Sequence, residues 1–139
     1  NGSELEQMKT LAAAVLPSGC YEFALFIPEP QMRAFYNGAH VFVFPSRYGF
    51  GLSALEAMAC GTPAIVGANL DALDFISDGD LLADPNNVPE VAGKIVSLLV
   101  DERLYLRTRG RATAIAAGCS WEHTAEGYWG VCDRLVERL

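Results

Sequence analysis

Apolar residues along this chain change their spacing several times, and each change marks an expected element. In ELEQMKTLAAAVL, Leu5, Met8, Leu11, Ala12 and Val15 recur at helical intervals, with Ser3 placed to cap the helix and Pro17-Ser18-Gly19 to end it. YEFALFI (21–27) is a short apolar run bounded by Pro28 and reads as a buried strand. PEPQMRAFYNGA gives a short helix from near Pro30 to Asn37-Gly38. HVFVFP (40–45) is nearly all apolar, as in a strand whose sheet is covered on both faces.

LSALEAMAC (52–60) is expected as a helix closed by Gly61 and Pro63, and PAIVG (63–67) as a third strand. A short helix around 72–77 precedes DGDLLADP, whose LLA forms a brief fourth strand. NNVPEVAGKIVSLLVDE carries an Asn cap and an apolar stripe of Val88, Val91, Ala92, Ile95, Leu98 and Leu99. Two further helices follow, near 102–117 and 121–138, the last capped by Ser120. Strands alternating with helices, each strand a continuous apolar run, define an α/β class with a mostly parallel sheet. No repeat, low-complexity tract or second domain interrupts residues 1–139.

Composition narrows the function. Half of the 139 residues are apolar, which suits a globular core. A net charge of −7 leaves no basic face for nucleic acid, while a single small anion needs only local donors. Cys20, Cys60, Cys119 and Cys132 are far apart, and neither His40 nor His123 has a second ligand nearby. The cysteines are expected to be reduced and packed as small apolar groups in a cytoplasmic protein, without metal. No apolar run reaches the length of a membrane span, and no signal peptide is visible.

The chemistry concentrates in PSRYGFGLSALEAMACGTP (45–63). Ligands on parallel α/β folds sit where strands lead into helices, and this stretch is such a connection. Gly49 and Gly51 free the backbone to approach a ligand and to take positive φ. The helix that follows points its unpaired N–H groups at the turn, which suits a phosphate or diphosphate. Glu56, about one turn in, offers a carboxylate to a vicinal diol such as ribose. A glycine turn needed only for packing, with Glu56 a solvated helix residue, explains the same residues.

The stretch resembles the donor-site signature P-S-x-x-E-G-F-G-L-P-x-L-E-A-M-A-x-G-x-P. That signature belongs to the C-terminal lobe of GT-B-fold retaining glycosyltransferases of family 4 (glycosyl transferases group 1). Pro45, Ser46, Gly49, Phe50, Gly51, Leu52, Leu55, Glu56, Ala57, Met58, Ala59, Gly61 and Pro63 match, thirteen of nineteen residues. FIPEPQMRAFYNGAHVFVFPS, DGDLLADPNNVPEVAGKIVSLLVDE and CSWEHTAEGYWGV resemble its flanks, so the likeness runs over about 20–139. It implies a Rossmann-like parallel sheet with flanking helices, the donor-binding half of a GT-B fold. The reaction implied moves a hexose from a UDP-, GDP- or ADP-sugar to a sugar or lipid acceptor, with no cofactor and no metal. Glu56 would bind the ribose, and Gly49, Phe50, Gly51 and Leu52 would lie beside the diphosphate. Ile27, Pro28 and Met32 would face the base.

The sequence departs from the signature in one telling place. The family's first Glu, which contacts the transferred sugar, lies eight residues before the ribose Glu; that position here is Tyr48. The spacing from Pro45 is one residue short, and a phenol cannot replace a carboxylate acceptor for sugar hydroxyls. LDALDFISDG likewise has Asp74 and Phe75 where the family tends to read L-P-E-v. A natural degenerate member, an altered sequence and residues missing from the chain as given all account for the gap. A full family lobe would begin with two more strands and a helix, so the resemblance implies an N-terminally truncated lobe with a smaller sheet. The missing N-terminal lobe would supply the acceptor side, leaving this chain inactive by itself. The competing reading is a degenerate, non-catalytic binding or interaction domain.

Four further expectations concern single residues. Arg47 stands either near a phosphate or in solvent. His40, opening a strand, is expected to be partly exposed and structural. Trp121 and Trp129 share one face of the last helix and are expected to pack in the core or, alternatively, to contact the missing lobe. Arg103, Arg107, Arg109 and Arg111 form a solvated face or, alternatively, a peripheral contact with anionic lipid.

Overall fold

A computed structural model of the chain describes residues 3–47, 49, 51–68, 76 and 78–137. The chain falls into two compact units, residues 1–32 and 33–139.

The N-terminal unit opens with helix α1 (Leu5–Val15). Its N-cap is Glu4, which makes no side-chain cap bond. Ser3 lies one residue too early to cap it, contrary to expectation. Gly19 at φ +83° turns the chain after the helix. The run 21–27 joins no ladder of the sheet, and Leu25 and Phe26 are exposed. An apolar run gives a segment its tendency to bury, but a strand also needs a hydrogen-bonding partner alongside. The expected first strand is therefore an irregular segment leading to helix α2 (Glu29–Gly38), whose first residues close this unit.

The larger unit is built on strands β1 (Phe42–Phe44), β2 (Ala64–Gly67) and β3 (Leu82–Ala83). They pair in parallel in the order β1-β2-β3, with Phe42 opposite Ala64 and Val66 opposite Leu82. The sheet is small, as expected, with three strands among the described residues instead of four. Helices α3 (Leu52–Ala59), α4 (Val88–Val100), α5 (Glu102–Ala117) and α6 (Trp121–Val136) complete it. The helix expected near 72–77 lies outside the described residues, as do Asp74 and Phe75.

Strand periodicity sends alternate side chains to opposite faces, and both are covered. Phe42, Phe44, Ala64, Val66 and Leu82 face a cluster with Ala54 and Met58 of α3 and Ala112 and Ala116 of α5. Val41, Val43, Ile65 and Ala83 face Val91, Ile95 and Leu98 of α4 and Leu104 of α5. The expected stripe on α4 is narrower than its pattern, because Val88, Ala92 and Leu99 stay exposed.

Caps set the helix ends. Asn87 Oδ1 accepts from Glu90 N at 3.2 Å, and Asp101 Oδ1 from Leu104 N at 2.9 Å. Ser120 Oγ accepts from His123 N at 3.1 Å, as its position predicts. Helix α3 ends in a Schellman motif, with Gly61 N donating to Met58 O and Thr62 N to Ala57 O, both at 2.9 Å. Gly61, at φ +82°, supplies the left-handed residue this motif needs.

Two expectations about side chains are corrected. Trp121 and Trp129 are 77% and 69% exposed, because α6 buries no residue. All four cysteines are free, yet Cys20, Cys119 and Cys132 are exposed and only Cys60 is half-buried. Cys20 follows a turn, Cys119 follows the end of α5, and Cys132 lies on the uncovered α6. His40 is exposed, its ring 6.5 Å from that of Tyr105. On α5, Arg111 pairs with Asp78 at 2.9 Å and Asp80 at 3.3 Å, and Arg107 with Asp80 at 3.4 Å. These two arginines thus meet the domain's own carboxylates; the pairs with Asp80 are exposed and each worth little by itself, while the Asp78 carboxylate is largely covered.

Candidate functional site

Parallel pairing puts the ends of β1, β2 and β3 at one edge of the sheet, and the glycine loop 45–51 leaves from that edge. Ser46 N donates back to Phe44 O at 2.8 Å, turning the chain at once after β1. The loop then leans over the end of β2. A Cβ added to Gly67 would lie 2.1 Å from Ser46 O, so only glycine permits this approach. The Arg47 guanidinium reaches further and donates to Asn86 Oδ1 in the turn after β3. Asn86 is itself fixed, its N and Nδ2 donating to Asp84 Oδ1 at 2.9 and 3.0 Å.

The loop enters α3 through two left-handed glycines. Gly49 has φ +102° and Gly51 φ +64°, a region costly for residues with a Cβ. Gly51 is buried and is the N-cap, and its carbonyl accepts from Ala54 N at 2.9 Å and Leu55 N at 3.1 Å. It has no side chain to cap α3, so the first N–H groups of the helix, at Leu52 and Ser53, receive none from that position. Leu52 is exposed and Ser53 half-buried at this entrance. Tyr48 and Phe50 lie outside the described residues.

Glu56 stands on the second turn of α3 with its side chain exposed. Its Oε2 accepts a 3.0 Å hydrogen bond from the Tyr36 hydroxyl. Burial first, then the hydrogen bond and negative charge of Glu56, push the Tyr36 phenol up to about 12. Tyr36 is therefore a neutral donor at ordinary pH. Its ring meets Phe42 edge-on at 5.6 Å, and its carbonyl accepts from Thr62 Oγ1 at 2.8 Å.

The structure thus gathers Arg47, Gly49, Gly51, Leu52 and Glu56 on one loop and helix start. Ile27, Pro28 and Met32 belong to the N-terminal unit, with Pro28 O accepting from Gln31 N at 2.8 Å and Met32 on α2. Tyr36, Thr62, Gly67 and Asn86 were not legible as parts of this arrangement. A glycine closing an apolar strand was a signal for Gly67; nothing local marked Tyr36. Among the described residues, no cluster of three or more His, Cys, Asp or Glu could hold a metal ion, and no helix is long and apolar enough to cross a membrane.

A parallel sheet covered on both faces, with a glycine loop leading from its carboxyl edge into a helix, defines a Rossmann-like α/β domain. The chain belongs to the glycosyl transferases group 1 family, whose pattern matches residues 1–114. That match starts earlier than the 20–139 span of the motif resemblance and stops before α6. O-antigen chain mannosyltransferase B of Escherichia coli is 36% identical over 107 residues, covering 76% of this chain and 28% of that protein. D-inositol 3-phosphate glycosyltransferase of Acidothermus cellulolyticus is 36% identical over 140 residues, 98% of this chain and 31% of the relative. The same-named protein of Corynebacterium jeikeium is 34% identical over 138 residues, 96% and 33%. The chain therefore spans a third or less of the length of these curated relatives. Glycosyl transfer is the chemistry this family names.

Proposed function

We propose that residues 1–139 serve as the donor-nucleotide domain of a retaining hexosyltransferase acting in the cytoplasm. The donor is a UDP-, GDP- or ADP-sugar and the acceptor a sugar or lipid, held against a second, N-terminal lobe. The observation that carries this reading is the entrance to α3: two left-handed glycines, helix N–H groups that receive no cap from Gly51, and one exposed carboxylate a turn further on. The helix N-terminus and the amides of Gly49, Gly51 and Leu52 bind the diphosphate, with Phe50 beside it and Arg47 adding a positive charge. Glu56 accepts hydrogen bonds from the ribose hydroxyls. Ile27, Pro28 and Met32, by the family resemblance, serve the base. Mannosyltransferase among the relatives' names supports a hexose as the group moved.

Tyr48 favours a second reading, a degenerate domain that binds nucleotide-sugar without transferring it, because it replaces the acid that would hold the sugar. Both readings require the nucleotide site. A thermal-shift titration with UDP, GDP and ADP, run beside Glu56→Ala, tests it. Ligand at about 100 times its dissociation constant adds roughly 2.7 kcal/mol, a shift of several degrees at this size. One nucleotide should raise the melting temperature and Glu56→Ala should abolish the gain. A cooperative melt that none of the three moves would sink both readings.

A further inference from the structure

A glutamate on a helix surface turns about three side-chain bonds, so a ligand that needs its carboxylate must first freeze it. Glu56 is not left to do so alone. The Tyr36 hydroxyl donates to its Oε2 at 3.0 Å from inside the domain, where Tyr36 is only 4% exposed. Two further contacts fix Tyr36, one at its ring and one at its backbone. Phe42, the first residue of β1, packs edge-on against the ring at 5.6 Å. Thr62 Oγ1, at the entry to β2, donates to Tyr36 O at 2.8 Å and lies 3.4 Å from Ala39 O. Thr62 N in turn donates to Ala57 O, next to Glu56 on α3. Donor and acceptor are thus tied to the same framework by routes other than their own bond.

We infer that Tyr36 is a positioning residue for Glu56, holding the carboxylate in one orientation with the rest of its acceptor capacity left for the two hydroxyls of a vicinal diol. A carboxylate offers about four lone-pair sites, and Tyr36 occupies one of them. Among the described residues no other donor bonds Glu56. The inference rests on the reading of Glu56 as the ribose carboxylate and adds a specificity: Tyr36 favours ribonucleotides over nucleotides that lack the diol.

The test is calorimetric binding of UDP, GDP and ADP, and of their 2′,3′-dideoxy counterparts, to the 139-residue chain and its variants. Tyr36→Phe keeps the ring against Phe42 and removes only the donor. It should weaken the best-bound ribonucleotide several-fold, up to about tenfold, the cost of freezing one flexible side chain on binding. Dideoxynucleotide binding should stay at its original strength. Glu56→Gln should lose the same selectivity, and adding Tyr36→Phe to it should cost nothing more. Glu56→Asp, which draws the carboxylate back from the phenol, repeats the test from the other side should Tyr36→Phe fail to fold. Equal weakening of both nucleotide classes by Tyr36→Phe makes Tyr36 a support of the fold and overturns the inference. Unchanged selectivity in Tyr36→Phe alongside lost selectivity in Glu56→Gln overturns it while leaving Glu56 at the ribose. No binding, or full selectivity in Glu56→Gln, removes the reading of Glu56 and the inference with it.

Discussion

Helices α3 and α6 both carry apolar residues at helical spacing, and the fold treats them in opposite ways. The eight residues of α3 bury Ala54, Ala57 and Met58 completely, while the sixteen of α6 bury none and leave two tryptophans in solvent. The difference lies in connection. Helix α3 links β1 to β2, and those strands pair directly, so the crossover lays its apolar face on the sheet. It is then pinned at both ends, by Gly51 at its start and by the Schellman turn into Thr62. Helix α6 is joined to the sheet by no such crossover among the described residues. An apolar stripe states that a face can be covered; the path of the chain decides whether it is.

The sharpest way to break this contrast is to cut into α3. Met58→Ala empties a fully buried site between sheet and helices and should cost about 2–5 kcal/mol, read as a lower urea midpoint at unchanged slope. A loss under about 1 kcal/mol would mean that α3 is not packed closely on the sheet.

The next effect concerns the Tyr36–Glu56 bond that holds α3 to the end of α2. Folding raises the Tyr36 phenol from 10.0 to about 12, so folding favours its neutral form. That contribution is complete below pH 10 and is lost as pH rises through about 12. Solvent screening keeps the effect below the about 3 kcal/mol that two full units would carry. The stability gap between the native chain and Tyr36→Phe should narrow over this window in urea titrations. Parallel curves for the two proteins would mean that folding does not hold the Tyr36 phenol neutral, by burial or by its bond to Glu56.

The smallest effect belongs to α6. Trp121→Ala and Trp129→Ala should each change stability by under about 0.5 kcal/mol, as for exposed positions elsewhere. A loss of 2 kcal/mol in either would show a covering contact in solution and would erase the contrast with α3.

Local chemistry was readable where a few neighbouring residues decide the outcome. Asn87 and Ser120 cap the helices that their positions announce, and Gly61 ends α3. The left-handed turns at Gly49 and Gly51 follow from the absence of a Cβ. Nineteen residues sufficed to point to the family that the wider comparison confirms. The same reading made a strand of 21–27 and a core face of Trp121 and Trp129, because apolarity reports the wish for cover and not its presence.

Sequence alone therefore determined the α/β class, the caps of α4 and α6, the glycine turn and the family. Tertiary structure alone decided which residues meet across the fold: Tyr36 with Glu56, Ser46 with Gly67, Arg47 with Asn86. These partners are 20 to 39 positions apart, and no local spacing sets their distance. Strand register sets it, by fixing which ends of the sheet stand side by side and hence which loops can touch.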